Sequence, residues 1–281
     1  TCNATILGFY STSIIFSDVI VTDSLVVHIT VNAQATIPVL YLSSNTNGSV
    51  AGLSFRDEDV LVYDPIADTW EIYFDGSDVD LGSVDVDAFE ILADGSLLIS
   101  LDQEKTISGF GTVDDSDILK FTPTTLGAAT SGSFAWFVDG SDVGLTSSGE
   151  DIDAIYMTTG GDLILSTEGF VSVNGLQAQD EDLLRFTPAI LGETTTGSWA
   201  AYLDGSTVSL SNSSEDIWAT WIDEGTGEIY LSTKAGYAVT GLSGDGDDVI
   251  VCQPNANTPI DGCTFSLFWN CLLYTSDAAD E

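Results

Sequence analysis

Two groups of carboxylates recur along this chain in matching places. The first comprises Asp57-Glu58-Asp59, Asp114-Asp115-Ser116-Asp117, Asp180-Glu181-Asp182 and Asp245-Gly246-Asp247-Asp248. The second comprises Asp85-Val86-Asp87, Glu150-Asp151-Ile152-Asp153 and Glu215-Asp216. Side chains two apart on an extended chain share a face, so Asp151 and Asp153 could meet at one hard cation. Calcium takes about six to eight oxygen ligands, which carboxylates and loop carbonyls together can supply. The candidate calcium ligands are therefore Asp57, Asp59, Asp85, Asp87, Asp115, Asp117, Glu150, Asp151, Asp153, Asp180, Asp182, Glu215, Asp216, Asp245, Asp247 and Asp248. Like charges packed this densely without a counter-ion cost stability and raise carboxyl pKa values. The plainer alternative is that these are solvated turn acids marking strand starts. Neither an EF-hand loop nor a Gly-Gly-x-Gly-x-Asp nonapeptide is present.

Other chemistry has few residues to work with. His28 is the only histidine, and Leu-Val-Val-His-Ile-Thr-Val around it alternates like an ordinary strand. A nucleophilic triad or a histidine-ligated zinc needs more than that. No Gly-x-Ser-x-Gly, Walker or dinucleotide fingerprint occurs. A carboxylate pair for glycoside cleavage or polysaccharide lysis, assisted by calcium, remains as an enzymatic alternative. The acids recur with the repeat, however, whereas a catalytic site is usually a single departure from repeat symmetry. The balance favours a non-catalytic chain.

Cys252 and Cys263 flank a turn-rich stretch of ten residues, a spacing that suits a disulfide between neighbouring hairpin strands. That bridge implies an oxidising compartment. Cys2 has no evident partner.

The wider composition agrees. Five Lys and Arg face 44 Asp and Glu among 281 residues, for a formal charge of −39. Such a surface repels nucleic acid and anionic membrane, and no apolar run is long enough to span a bilayer. Hydrophobic residues make up 44%, enough for a packed core. The chain starts at Thr1 with no signal-peptide pattern, as a mature product or an internal piece would. Asn3, Asn47 and Asn212 open glycosylation sequons.

The acids are positioned by a long repeat. Strand-like runs end at Pro65, Pro123, Pro188 and Pro254, at intervals of 58, 65 and 66 residues. Asp-Gly-Ser follows at 75–77, 139–141 and 204–206, and a hydrophobic pair with serine stands at 98–100, 164–166 and 230–232. Each unit reads as four short strands, in the third unit Asp182–Phe186, Ser198–Leu203, Ile217–Ile222 and Glu228–Thr233. Thr-Pro, Asp-Gly-Ser and Gly-Thr-Gly are the breaks between them. Four strands per unit predict an all-β protein, a β-propeller or an open stack of four-stranded blades, with generous loops.

Trp70, Phe134 and Trp199 form one aromatic column five residues before Asp-Gly, and Tyr73, Phe137 and Tyr202 form another two before it. Their odd spacing puts them on opposite faces of one strand, as expected of core shared with both neighbouring blades. The register divides the chain into N-terminal strands at 1–37, with strand-like stretches at 14–21 and 25–31, and repeats over 38–270. The units are 38–52 (partial), 53–113, 114–179, 180–244 and 245–270 (partial). The N-terminal segment is a cap, a closing strand or an exchangeable strand. In the last unit Phe265 and Phe268 continue the aromatic columns, but Asn270 is followed by Cys271-Leu-Leu-Tyr-Thr-Ser rather than Gly-Ser. Residues 271–281 resemble a translated sequencing-adaptor read-through and are expected to be non-native, which makes the repeat incomplete at the C-terminus.

Tyr63-Asp64-Pro65 with Trp70 resembles one kelch blade, without the double glycine. The Phe-Asp-Gly-Ser-Asp-Val, Glu-Asp-Ile-Asp-Ala and Phe-Thr-Pro-x-x-Leu-Gly elements are similar to acidic repeat proteins of bacterial secretomes. That resemblance implies architecture and a secreted or cell-surface location. Three functions follow as expectations. The first is a binding scaffold for a protein or glycan, stabilised by calcium. The others are a calcium-dependent carbohydrate-active enzyme and a self-associating filament subunit in which residues 4–37 donate a strand.

Overall fold

The computed structural model describes residues 39–270; His28, Cys2, Cys271, the N-terminal strands at 1–37 and the tail at 271–281 lie outside the described residues. The first blade holds β1 (Leu40–Leu42), the hairpin β2 (Gly48–Val50) and β3 (Leu53–Phe55), then β4 (Val60–Asp64) and β5 (Thr69–Phe74). The second holds β6 (Val86–Ile91), β7 (Leu97–Leu101), β8 (Lys105–Ile107), β9 (Gly111–Val113), β10 (Ile118–Thr125) and β11 (Ser131–Val138). In the third are β12 (Ala154–Met157), β13 (Leu163–Ser166), β14 (Val171–Val173), β15 (Leu176–Ala178), β16 (Leu183–Ile190) and β17 (Thr196–Leu203). The fourth has β18 (Ile217–Asp223), β19 (Glu228–Thr233), β20 (Tyr237–Val239), β21 (Leu242–Gly244), β22 (Val249–Pro254) and β23 (Cys263–Trp269).

Each complete blade is a four-stranded antiparallel meander, for example β12-β13-β16-β17, with a separate two-stranded hairpin inserted between its second and third strands. The first blade shows the outer three strands, β1-β4-β5. The inner strands β6, β12 and β18 stand side by side, so the blades follow one another about a common axis as a β-propeller. The generous loops expected from the repeat length are these inserted hairpins. Sheet and repeat are out of phase by half a blade: the units beginning at 114 and 180 each start at the third strand of one sheet and end with the hairpin of the next.

Thr-Pro does not break the strand. β10 and β16 continue through Pro123 and Pro188 with a bulge just beyond. The partner strands β7 and β13 stop at Phe121 and Phe186, so each proline lies where one side of its strand is unpaired and its missing N–H costs nothing there.

Three hydrophobic clusters form the core, each shared between adjacent blades. Phe134 and Tyr73 pack on the cluster between blades one and two, Trp199 and Phe137 on the next, and Tyr202 and Phe265 on the last. The two aromatic columns thus serve opposite neighbours, as their odd spacing predicts. Phe74, Phe121 and Phe186 are fully buried at the centre of this packing. A disulfide joins Cys252 and Cys263 across β22 and β23, with 5.2 Å between the Cα atoms.

Candidate functional site

The repeated landmarks fasten blades together. Asp117 accepts from the backbone N–H of Asp114 (2.7 Å) with one carboxylate oxygen and from that of Gly140 (3.0 Å) with the other. Asp59 does the same for Arg56 and Gly76, and Asp182 for Gln179 and Gly205. Each ties its own turn to the Asp-Gly-Ser loop of the same blade. The glycine there is sterically required: a Cβ at Gly140 would come within 2.1 Å of the Ser116 carbonyl oxygen, and one at Gly205 equally close to that of Glu181. The serine of the third landmark donates to the same turns, Ser100 to the Asp117 carbonyl (2.7 Å) and Ser166 to the Asp180 carbonyl (3.3 Å).

Between blades, the carbonyls of Asp57, Asp115 and Asp180 accept in turn from Val86, Ile152 and Ile217; Val86 and Ile217 start inner strands, and Ile152 stands two residues before β12. At the outer edge, Gly127 and Gly192 donate to the carbonyls of Tyr73 and Phe137 in the preceding blade. Thr130 and Thr195 then receive the N–H of Asp75 and Asp139. This accounts for the Phe-Thr-Pro-x-x-Leu-Gly element: its glycine, at φ 98° and 116°, is the latch on the neighbouring blade.

Among the second group of acids, Glu150 and Glu215 fasten hairpins. Glu150 accepts from Thr146 and Ser147 with one oxygen and from Ser172 of β14 with the other; Glu215 holds Ser211, Asn212 and Ala238 in the same way. Burial raises their pKa, but these backbone donors outweigh it and leave both carboxyls below the usual value. Glu58 and Glu181 are pushed up to about 7 by burial and by hydrogen bonds with Asp57 and Asp180. Asp248 accepts from the Tyr237 hydroxyl at 3.3 Å, while Asp245 and Asp247 are exposed.

The remaining acids gather where the inner strands begin. Asp151, Asp153 and Asp216 are 5%, 2% and 1% exposed, and Asp151 Oδ1, both oxygens of Asp153 and Asp216 Oδ1 receive no N–H or O–H from the protein. Burial raises the Asp87 carboxyl to about 7, with Asp102 and Glu168 adding to it. The Asp151 carboxyl is raised to about 8 by burial, then by Asp87, Asp115 and Glu168. Asp153 is raised by burial and by Asp216 of the next blade, with which it shares a hydrogen bond when one of the two holds a proton. Asp151 and Asp153 precede β12, and in the neighbouring blades the position of Asp153 is a register break, between Val86 and Ala88 and between Ile217 and Ala219.

Among the described residues, one ammonium faces this group. Lys234 Nζ lies 2.7 Å from Glu168 Oε1, 3.9 Å from Asp216 Oδ2 and 5.0 Å from the centre of the Trp218 ring. Asp102, Glu168 and Lys234 escaped the sequence reading. They stand two residues after the serine landmark in successive blades, and that constant offset was the available signal. Among the described residues, no three His, Cys, Asp or Glu side chains are gathered closely enough to hold a metal ion.

No protein-family model matches the chain, and no curated protein matches it. Among solved structures, a catalytically inactive virginiamycin B lyase from Staphylococcus aureus with quinupristin is 10% identical, with 83% of this chain and 74% of that chain covered and a TM-score of 0.33. The extracellular domain of a two component system, BT4673 from B. thetaiotaomicron, is 11% identical over 75% of this chain and 26% of that chain, with a TM-score of 0.24. The chain therefore spans about a quarter of the latter's length. Likenesses this distant carry neither an activity nor a ligand to this protein.

Proposed function

We propose that this chain is a secreted or cell-surface binding scaffold without catalytic activity, stabilised by calcium, whose blades present a rigid acidic surface to a protein or glycan. The observation that carries this reading is that the repeated polar landmarks are spent on fastening. The backbone-directed acids Asp59, Asp117, Asp182, Glu150 and Glu215 give the blades a fixed geometry. The disulfide supports an oxidising compartment. No described helix is long and apolar enough to cross a membrane, which fits a module displayed outside it.

A panel of immobilised glycans and extracellular proteins, screened with the chain as analyte and polysaccharide hydrolysis assayed in parallel, tests this reading. Saturable binding without turnover supports it. Hydrolysis that disappears on replacing one acid of this chain would establish the carbohydrate-active enzyme instead.

A further inference from the structure

Blade two departs from the repeat at one groove. The groove lies between residues 78–80, at the end of the Asp-Gly-Ser loop of blade one, the tip of the β8–β9 hairpin and the start of β11. One blade later the matching groove is bridged, because Trp199 Nε1 donates to the Val143 carbonyl at 3.0 Å. Phe134 stands at the Trp199 position and Val79 at the Val143 position, and a phenyl ring has no N–H to span them. A cavity of about 430 Å³ remains there, with Val79 and Phe134 in its walls.

Three further departures fall on the same groove. The hairpin turn holds three residues, Ser108-Gly109-Phe110, between the paired Ile107 and Gly111, where the other described inserted hairpins hold two. Phe110 is thereby freed from strand pairing, whereas the leucines that follow the turn glycine in the next blades, Leu176 and Leu242, are paired. Its half-buried ring lies 6.2 Å from that of Phe134 and 5.6 Å from that of Trp136, and Trp136 takes the place of Ala201 in blade three. Asp80 occupies a left-handed position, φ 73°, where blade three has Gly144. Side chains are disfavoured there, and aspartate is among the few that tolerate it. Asp80 Oδ2 accepts from the Ser108 N–H at 2.7 Å and Asp78 Oδ2 from the Thr130 N–H at 2.9 Å, which fixes both carboxylates at the rim. No cationic side chain lines the cavity; Lys105, on the same hairpin, donates to the Gly82 carbonyl at 3.0 Å.

We infer that this groove binds a glycan bearing free amino groups, such as a glucosamine oligomer, with a sugar ring against Phe110 and Phe134 and an ammonium at Asp78 and Asp80. A cleft of this size with aromatic walls and a few placed polar groups is the usual form of a small-ligand site. Aromatic faces are apolar and electron-rich, which suits both the C–H face of a sugar and a nearby ammonium. The acidic rim, with no lining cation, turns away chains of uronic acids. The inference rests on the proposed binding scaffold and deepens it, naming the ligand class and the blade that takes it.

The test is isothermal titration of the full chain with a glucosamine tetramer, at mildly acidic pH where its amines are protonated, against its N-acetylated form and tetralysine. The variants are Asp80→Gly and Phe134→Trp, which each copy blade three and so keep the fold, and Phe110→Ser, which removes an aromatic wall. We expect the wild type to bind the glucosamine tetramer and each variant to weaken it by about tenfold or more. The N-acetylated tetramer and tetralysine should bind weakly, one lacking the charge and the other the sugar ring. Equal binding by the wild type and all three variants would overturn the groove while leaving a glycan-binding scaffold standing. Tetralysine bound as tightly as the sugar would overturn the glycan and leave charge alone. Failure of the wild type to bind the glucosamine tetramer would overturn the inference, and saturable binding of another glycan or protein would still support the scaffold.

Discussion

Lys234 and Glu168, 2.7 Å apart, are the same position of two successive blades carrying opposite charge. A repeat protein otherwise built of matching acids has thus altered one copy so that two neighbouring blades attract each other. Replacing Lys234 with methionine keeps most of its apolar stem over Trp218 and removes the charge, leaving Asp216 buried without it. In EDTA the loss should be about 1–3 kcal/mol, toward the lower end because Glu168 is half exposed. Urea unfolding of the variant measures it, and an unchanged midpoint would show that the bridge is ornamental.

The close approach of the Asp-Gly-Ser loop to the acidic turn makes a sharper prediction. Gly140→Ala puts a methyl against the Ser116 carbonyl and should cost about 2–3 kcal/mol, as overpacking does. Gly95→Ala, in open space at φ 80°, should cost only about 1 kcal/mol from backbone strain. Asp117→Ala strands the two N–H groups it holds and should cost about 2–4 kcal/mol, whereas Asp247→Ala on the surface should be close to neutral. The four midpoints by urea denaturation decide this, and equal effects across them would argue against the fastening role.

Reducing the bond between Cys252 and Cys263, or replacing both with serine, releases a short loop. The expected loss is about 2–3 kcal/mol on the chain-entropy account. Chemical denaturation with and without reductant reads it directly.

Much of this fold was legible because the repeat brought its own internal comparison. Strand positions in the third unit agree closely with β16, β17, β18 and β19, and the odd spacing of Trp199 and Tyr202 correctly assigned them to opposite blades. Blade phase was not legible. A repeat has no marked beginning, and only hydrogen bonding between β13 and β16 shows that the inserted hairpin lies inside a blade rather than between two. The acids were visible as a class, but their roles were not. Asp117 and Asp151 are the same residue type in similar surroundings; one meets two backbone N–H groups and the other meets carboxylates, a distinction made largely by groups distant in the chain, Gly140 for Asp117 and Asp87 and Asp115 for Asp151.

The inner acids set a pH dependence with a definite sign. Burial, followed by neighbouring carboxylates, raises Asp87 to about 7 and Asp151 to about 8, and burial alone raises Glu90 on β6 to about 8. A carboxyl with a folded pKa above its unfolded value near 4 binds its proton more tightly in the folded state. Its contribution is fully present below about pH 4 and is lost as the pH rises toward 8. Glu150 and Glu215, held below their usual value, act in the opposite direction and lose their contribution below about pH 4.5. In EDTA, stability should therefore peak near pH 5 and fall toward pH 8, and thermal scans across that range would show it. A steady rise to pH 8 would contradict the burial of unneutralised acids on the axis.

The most direct test is thermal unfolding of the full chain in millimolar calcium, in EDTA, and in magnesium or matched salt. A cation held only by the folded state raises the midpoint by mass action, by several degrees once its concentration is about a hundred times the dissociation constant. The expected result is such a rise in calcium, well beyond that in magnesium or salt. Identical midpoints in calcium and EDTA would contradict the account, leaving the buried inner carboxylates to be neutralised by Lys234 and protons.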